Sequence, residues 1–432
     1  MKDNCFLKRV IVFLMYAGIL LSSCTKDPEM FVPLDDIVIE AIQIEPVTFD
    51  IMANVVWTVD VVQEGNKWLD VSPRYGKGNA TITIETDENI EFIERVAFIA
   101  ITGEGFQTDS IKIVQTSTLD VAEKIEDEIL RQYCLDMFDD SPKDGKISAK
   151  EARFVMMLDI EEMNIQSLVG IEYFTQLKKL RCSDNEIKEI DISKNKVLKE
   201  LDCSNNPIDR LDVSELPMLA DLRIHSTKIT QIDVRNNPAL YLLTISNSPI
   251  TSIDVSDNKE LSMLLCNNNQ LTELDVSKNA KLLMLSCGNN KLSTINLSMN
   301  PNLVNLYCND QTDGNKQLLT NLDISQNKAI QSLSCAQNAL TELDISNNPA
   351  LTSLRCEDNL LTHLDISKNT KLEELRCNHN RLNSSLNISN NKTLKWIYLT
   401  QNPNLSKIYV WRGFDESNRF FEKDKDAQWI VQ

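Results

Sequence analysis

Histidine is almost absent from this chain of 432 residues, in which it occurs only as His225, His363 and His379. Because histidine is the most frequent general base and metal ligand of proteins, most of the chain lacks the residue that such sites use most often. The sequence also lacks a His-Glu-x-x-His motif, a glycine-rich phosphate loop and a Ser-His-Asp set at a recognisable motif. These absences predict a protein that is not an enzyme.

Basic residues are too few to balance the acidic ones. The chain has 44 Lys and Arg against 63 Asp and Glu, which gives a formal net charge of −19. Because clustered Lys and Arg bind the phosphates of nucleic acids, we expect no nucleic-acid partner. A chain of this length is too long for one compact core, and it predicts several modules or a repeat array.

The N-terminus has the pattern of an export signal. Lys8 and Arg9 precede an apolar run over 10–21 that is too short to span a bilayer stably. The run ends in Leu21-Ser22-Ser23-Cys24, which resembles a bacterial lipobox. The resemblance implies a signal peptide over 1–23, cleavage before Cys24, acylation of its thiol and a tether over 24–31. A plain signal peptide with an incidental cysteine is the alternative.

The residues behind Cys24 bear on where the anchor faces. The stretch 25–29, Thr-Lys-Asp-Pro-Glu, partly resembles the signal that sends lipoproteins of the Bacteroidetes to the cell surface, although Pro28 interrupts it. We therefore expect a protein anchored by lipid in the outer membrane and displayed on the cell surface. A periplasm-facing anchor is the alternative.

Residues 32–118 read as an immunoglobulin-like β-sandwich. Alternating or β-branched segments at 55–59, 80–84, 96–101 and 111–114 predict short strands. The segment resembles the BACON family (Bacteroidetes-associated, carbohydrate-binding, often N-terminal) at Trp57, Trp68-Leu69, Ser72-Pro73, Gly76, Gly78, Arg95 and Val114-Gln115. The family name implies glycan binding, whereas the residues favour a spacer. We expect Trp57 and Trp68 in the core rather than on a sugar platform, and Tyr75 exposed.

A small helical module with an EF-hand-like loop is predicted over 119–155. Apolar residues recur at helical spacing over 119–139, and 140–151 has the length of a calcium loop. The candidate ligands are Asp140, Asp144, Lys146 and Glu151, and Gly145 would make the sharp turn. Pro142 replaces one ligand, so calcium binding and a metal-free structural loop remain alternatives.

From residue 177 the chain repeats with a period of 21. The repeat starts at Leu177, Leu198, Leu219, Leu240, Leu261, Leu282 and Leu303, and after an insertion near 309–318 at Ile330, Leu351, Leu372 and Leu394. This period predicts an all-β solenoid over 156–410, closed by a cap over 411–432. Two similar half-repeats predict two short parallel strands in each coil. The nested pattern resembles the IRREKO class of bacterial leucine-rich repeats, which implies binding and no catalysis.

Two columns of identical residues run along the repeats. Eight cysteines share one inward slot with Ile224 and Ile245: Cys182, Cys203, Cys266, Cys287, Cys308, Cys335, Cys356 and Cys377. We interpret this slot as apolar core, with a metal column as the remote alternative. The outward acidic column is Asp191, Asp212, Asp233, Asp254, Asp275, Asn296, Asp323, Asp344, Asp365 and Asn387. It predicts an Asx bond to each turn or, alternatively, a cation or basic ligand along the stripe.

The outward positions of the first strand vary between coils. The middle coils carry Leu242, Met263, Leu265, Met284 and Tyr307, and charged coils flank them. An apolar patch with a polar rim predicts a ligand-binding surface, unless the neighbouring insertion covers it. We therefore expect a monomeric envelope protein whose solenoid binds an extracellular protein or glycan. The alternative is an accessory lipoprotein of polysaccharide capture that binds carbohydrate through its BACON-like domain. No cofactor is expected apart from the possible calcium.

Overall fold

The computed structural model describes residues 27–33, 35–39, 41, 46–62, 68–89, 94–117, 119–140, 143–417 and 420–432. They divide into two compact units, Met1–Leu119 and Asp120–Gln432. Within these ranges, no helix has the length and apolar character needed to cross a membrane. The predicted helical module falls in the second unit.

The first unit consists of two β-sheets with a common core. Its strands are β1 (Met30–Phe31), β2 (Ile37–Ile39), β3 (Val47–Ala53), β4 (Val56–Val62), β5 (Leu69–Ser72), β6 (Tyr75–Lys77), β7 (Ala80–Thr86), β8 (Arg95–Gly103) and β9 (Asp109–Gln115). One sheet has the order β1-β3-β7-β5 and the other the order β2-β9-β8-β4-β6. Alternating side chains of both sheets fill the core, which contains Trp57, Ile84 and Ile99.

Two of the three aromatic residues with a predicted position in this unit lie as expected, and Trp68 is less buried than predicted. Trp57 is 1% exposed, and its indole nitrogen donates to the carbonyl of Gly78 at 2.7 Å. A Cβ at Gly76 would lie 2.3 Å from the Trp57 ring, so only glycine allows this packing. Trp68 is half-buried under the guanidinium of Arg95, at 4.7 Å. Tyr75 is 78% exposed. The core interpretation of Trp57 and the exposure of Tyr75 are confirmed.

A short helical segment covers the first coil of the second unit. It contains α1 (Glu128–Phe138), α2 (Ala149–Phe154) and a 3-10 turn at Ala122–Lys124. Asp127 caps α1 by accepting from the backbone of Ile129 and Leu130. The same carboxylate accepts from Gln166 of the first coil at 2.8 Å, which ties the helix to the solenoid.

The solenoid is built on one parallel sheet of 13 strands. They are β10 (Met157–Asp159), β11 (Lys179–Arg181), β12 (Glu200–Asp202), β13 (Asp221–Arg223), β14 (Leu242–Thr244), β15 (Met263–Leu265), β16 (Met284–Ser286), β17 (Asn305–Tyr307), β20 (Ser332–Ser334), β21 (Ser353–Arg355), β22 (Glu374–Arg376), β24 (Trp396–Tyr398) and β26 (Phe421–Glu422). Between β17 and β20 the insertion forms a hairpin of β18 (Thr312–Asp313) and β19 (Lys316–Gln317). In the 13-stranded sheet, the middle residue of each strand from β10 to β24 points into the core.

The prediction of two strands per coil is wrong for most of the array. In the second half-repeat, strands occur only at the C-terminal end: β23 (Ser384–Asn387), β25 (Leu405–Val410) and β27 (Gln428–Val431). In the earlier coils this half makes few backbone bonds between coils, such as the one from Lys228 to Ile208 at 2.8 Å. Side chains of Asp and Asn bind its backbone instead, and these bonds form turns rather than a ladder.

Asparagine forms two buried columns inside the coils. The strand-side column follows each strand: Asn185, Asn206, Asn269, Asn290, Asn338, Asn359, Asn380 and Asn402, with Thr227, Ser248 and Gln311 in the other coils. The turn-side column lies in the second half-repeat: Asn195, Asn237, Asn258, Asn279, Asn300, Asn327, Asn348, Asn369 and Asn391, with Leu216 in one coil. Both columns bond backbone groups of the preceding coil, as Asn206 does at the carbonyl of Cys182 and Asn279 at that of Val255.

The cysteine slot is apolar core, as predicted. All eight repeat cysteines are fully buried, and their thiols are free. Burial raises the pKa of the Cys287 and Cys335 thiols to about 12. The thiols are therefore protonated at neutral pH, which makes them inert core groups.

The C-terminal segment continues the coils rather than only covering them. Strand β26 pairs with β24, and β27 pairs with β25, so both sheets continue into the C-terminal segment. The ring of Phe414 stacks on Phe421 with centroids 5.0 Å apart, and it also contacts Trp411 and Trp429. These four rings form an aromatic cluster in the C-terminal segment, and the role of 411–432 as a cap stays a prediction.

Candidate ligand-binding face

The outer surface of the 13-stranded sheet offers the widest continuous surface for a ligand. Each strand of this sheet except the two-residue β26 has three residues, and the first and third point outward. These outward side chains, from Met157 and Asp159 to Trp396 and Tyr398, are called the strand face here. They differ from coil to coil, whereas the inward leucines hardly change. Recognition requires such variation on a constant scaffold.

Paired charges occupy both ends of the strand face. At the N-terminal end, Glu200 binds Lys179 at 2.9 Å and Arg181 at 2.6 Å. At the C-terminal end, Glu374 binds Arg355 at 3.1 Å and Arg376 at 2.6 Å. Burial tends to raise the pKa of both carboxyls, but the hydrogen bonds from their partners outweigh it and lower the pKa. These coils form a fixed polar rim.

The middle of the strand face is less apolar than the sequence predicts. Leu242 is only 7% exposed, so the prediction that this side chain is exposed is wrong, and its contact with a ligand stays a prediction. It is flanked in register by Asp221 and Met263, and side chains at strand spacing cover one another. Met263, Leu265 and Met284 are half-buried and in neighbouring strands, and we call these three residues the central patch.

Tyr307 lies in the strand next to that of Met284 and lines a groove of about 700 Å³. We call this cavity the serine groove. It is lined by Asn267, Asn268, Ser286, Gly288, Asn289, Tyr307, Asn309, Ser332, Ser334, Ala336, Gln337, Ser353, Arg355, Glu357 and Asp358. Tyr307 is paired in register with Ser286 on one side and Ser334 on the other. The ring therefore stands between two small side chains.

The acidic column of the second half-repeat makes the Asx bonds that its spacing predicts. In all ten coils the Asp or Asn oxygen accepts from the backbone two residues on, as Asp275 does from Ser277 at 2.8 Å. These bonds lower the pKa of Asp275 and its neighbours, and the guanidinium and backbone of Arg235 lower the pKa of Asp233 to about 2. A shallow groove of about 770 Å³ lies beside Asp323, Asp344 and Asp365.

Comparison with known proteins assigns both units. A model for leucine-rich repeats in two copies matches residues 175–217. The BACON model, described as a putative N-terminal binding domain, matches residues 57–116. None of the curated proteins compared with it matches.

Solved structures agree with this leucine-rich-repeat assignment. The functional domain of InlJ from Listeria monocytogenes, which includes a cysteine ladder, is 30% identical, with a TM-score of 0.61 over 72% of this chain and 70% of that one. The chain belongs to the leucine-rich-repeat proteins. The internalin InlF from the same organism is 17% identical, with a TM-score of 0.52 over 73% of this chain and 94% of that one. The second likeness concerns the fold alone.

The predicted calcium loop of this leucine-rich-repeat protein makes internal bonds. Both carboxylate oxygens of Glu151 accept hydrogen bonds, one from the backbone of Asp140 at 3.1 Å and the other from Ser148. Asp144 accepts from the backbone of Lys146, and Gly145 has the positive φ of the expected turn. Across the described ranges, no three His, Cys, Asp or Glu side chains are grouped to hold a metal. Calcium binding remains a prediction.

Two outcomes complete the list of predicted sites. The lipidation site Cys24 lies outside the described residues. The serine groove was not predicted as a site, although it has a signal in the sequence. The coil of Ser332, Ser334 and Ala336 places three small residues at consecutive outward positions. A comparison of each outward position from coil to coil, rather than a search for apolar residues alone, would indicate this groove.

Proposed function

We propose that this chain is a lipid-anchored recognition protein of the outer membrane, displayed on the cell surface, whose strand face binds an extracellular protein through the central patch. The observation that carries the proposal is the position of Met263, Leu265 and Met284. They lie in neighbouring strands, half-exposed, between two sets of ion-paired coils. An apolar centre inside a polar rim is the usual anatomy of a protein interface.

The chemistry of the patch and the fold both support binding. Methionine is flexible and polarisable, so a surface with two of them adapts to a partner. Solenoids bind along extended faces of this kind, and leucine-rich-repeat folds are typical of non-catalytic binding proteins.

The test uses the lipid-free protein from Thr25 onward. It is used to probe arrays of extracellular and envelope proteins, beside a variant with Met263→Glu and Leu265→Glu. We expect a bound protein whose affinity falls by about a hundredfold in the variant, because two carboxylates would be buried without partners. Met299→Glu is the matched control, since Met299 is 55% exposed on the turn side of the coils. Equal binding by all three proteins would refute the proposal.

The lipid anchor is tested separately. In cells that express the full chain, we expect labelling by radioactive palmitate and recovery in the outer-membrane fraction. The change Cys24→Ala should abolish both, because no acceptor thiol remains at the cleavage site. External protease then distinguishes the two orientations: digestion in intact cells supports surface display, and protection indicates a periplasm-facing anchor.

A second function, carbohydrate binding by the BACON domain, is favoured by Tyr75. Its ring is 78% exposed on the edge strand β6, where it is available to stack on a sugar. Tyr75→Ala should then remove glycan binding and leave the solenoid unaffected. Retention of glycan binding in this variant would exclude Tyr75 as the platform.

A further inference from the structure

The serine groove has the width of one inserted group. Its floor is the coil of Ser332, Ser334 and Ala336, whose outward side chains are all small. The preceding coil carries Tyr307 and the following coil Arg355 in the same outward column. Because neighbouring strands lie about 4.8 Å apart, these two backbones are about 10 Å apart across the floor. One ring or one side chain fills such a slot.

The lining of the groove is polar but largely uncharged. Ten of its fifteen residues carry a neutral hydrogen-bonding group: Asn267, Asn268, Asn289, Asn309, Gln337, Ser286, Ser332, Ser334, Ser353 and Tyr307. No aliphatic side chain larger than that of Ala336 contributes. A protein anchor of leucine or phenylalanine would find few apolar partners there, whereas a ligand with many hydroxyls would find both donors and acceptors.

The charged groups at one end of the groove have partners of their own. Arg355 binds Glu374 at 3.1 Å, and the Asp358 carboxylate lies 2.7 Å from Nδ1 of His379. These contacts reduce the attraction for a charged ligand. Glu357 differs, because its Oε2 is buried and no donor from the described protein reaches it.

We infer that the serine groove binds a neutral oligosaccharide. The small neighbours of Tyr307 leave room beside its ring for the apolar face of a sugar, and the surrounding amides and serines can bond the hydroxyls. The lining comes from five coils, so one sugar ring fills the slot between Tyr307 and Arg355 and the rest of the oligosaccharide contacts the flanking polar side chains. This site is distinct from the central patch, and it does not depend on that patch binding a protein.

The repeat itself supplies variants that the fold accepts. Ser334→Arg places a long side chain on the groove floor, and Arg181, Arg223, Arg355 and Arg376 already occupy the same column in other coils. Tyr307→Ser removes the ring and copies Ser286 and Ser334. Thr244→Arg is the matched control, since Thr244 belongs to the same column but lies outside the groove lining.

The experiment uses the chain from Thr25 onward with an array of neutral oligosaccharides of glucose, mannose, galactose and N-acetylglucosamine. Each sugar that binds is then titrated by calorimetry. We expect Ser334→Arg and Tyr307→Ser each to weaken binding by about tenfold or more, with Thr244→Arg unchanged. Circular dichroism of each variant confirms that the fold is retained.

Other outcomes would overturn the inference. Absence of sugar binding by the unaltered chain would refute it, and protein binding at the central patch would be unaffected. Sugar binding that survives both groove variants but is lost in Tyr75→Ala would assign the glycan to the BACON domain. If an extended peptide, rather than a sugar, loses affinity in the groove variants, the groove is a peptide site.

Discussion

The two halves of each coil contain similar sequences, yet they stabilise the solenoid by different means. In the strand-side column the amide of Asn380 bonds in both directions. Its oxygen accepts from the backbone of Leu361 at 2.9 Å, and its nitrogen donates to the carbonyl of Cys356 at 3.0 Å. The column therefore joins successive coils through both a donor and an acceptor.

In the turn-side column only the nitrogen of each amide forms hydrogen bonds. The nitrogen of Asn369 donates to the carbonyls of Ile345 and Asn348, but these carbonyls already accept backbone N–H groups. Its oxygen is buried, and no donor in the described part of the protein reaches it. The same holds for the oxygens of Asn195, Asn237, Asn258, Asn279, Asn300, Asn327, Asn348 and Asn391.

The exceptions in each column follow this difference. Where asparagine is missing from the strand-side column, Thr227, Ser248 and Gln311 keep a hydrogen-bonding group. In the turn-side column the exception is Leu216, which has none. The strand-side amide therefore satisfies a buried N–H that has no other acceptor, whereas the turn-side amide adds to carbonyls that are already bonded.

The largest expected effect on stability comes from replacing one asparagine in each column. Asn380→Ala leaves the buried N–H of Leu361 without an acceptor, whereas Asn369→Ala leaves no backbone group unbonded. We expect losses of about 3 kcal/mol for Asn380→Ala and about 1 kcal/mol for Asn369→Ala in the free energy of unfolding. Urea denaturation followed by circular dichroism measures both.

The matched control is Asn369→Leu, which copies the natural Leu216. We expect it to be less harmful than Asn380→Leu, because only the second leaves a buried donor unpaired. Similar losses in the two columns would contradict the distinction between them.

The second-largest expected effect concerns the cysteine slot, and it tests whether a polar side chain is tolerated there. Cys287 is fully buried in the slot that Ile224 and Ile245 also fill. We expect Cys287→Ser to lower the free energy of unfolding by about 2 kcal/mol, because a hydroxyl enters an apolar site. Cys287→Val, close in volume, should cost less than 1.5 kcal/mol. If serine were tolerated as well as valine in thermal unfolding, the slot would not be apolar.

The sequence predicts the features that repeat and misses those that depend on neighbours. The period of 21 is sufficient to predict the solenoid, the inward thiols and the Asx bonds, because each coil repeats the same local rule. Leu242 was predicted to be exposed because the alternation along a strand shows which side chains point outward. It does not show which of these side chains are covered by their neighbours. Its burial depends on Asp221 and Met263 in the adjacent strands.

The two-strand prediction failed for a related reason. Similar half-repeats suggest similar backbones, but strands require a ladder of bonds between coils. In the second half-repeat the carboxylate of Asp275 instead accepts from the backbone N–H of Ser277, and this bond forms a turn. The serine groove was missed because it arises from small residues at one coil between larger ones at the next, and single-coil patterns do not contain that contrast.

The smallest effect concerns the acidic column of the turn half. Asx bonds hold the pKa of Asp254 and Asp275 below the ordinary value, so their folded pKa values are lower than their unfolded ones. Their contribution to stability is then fully present above about pH 4 and is lost as the pH falls through the lowered values.

Replacement of both by asparagine, as at Asn296 and Asn387, keeps an acceptor for each turn and removes the titration. We expect the midpoint of thermal unfolding to fall less steeply below pH 4 in this double variant than in the unaltered chain. Both carboxylates are exposed, so the difference is small and requires measurements in steps of pH at constant salt. If the double variant followed the unaltered curve at every pH, the column would stabilise the coils only through its hydrogen bonds and not through its charge.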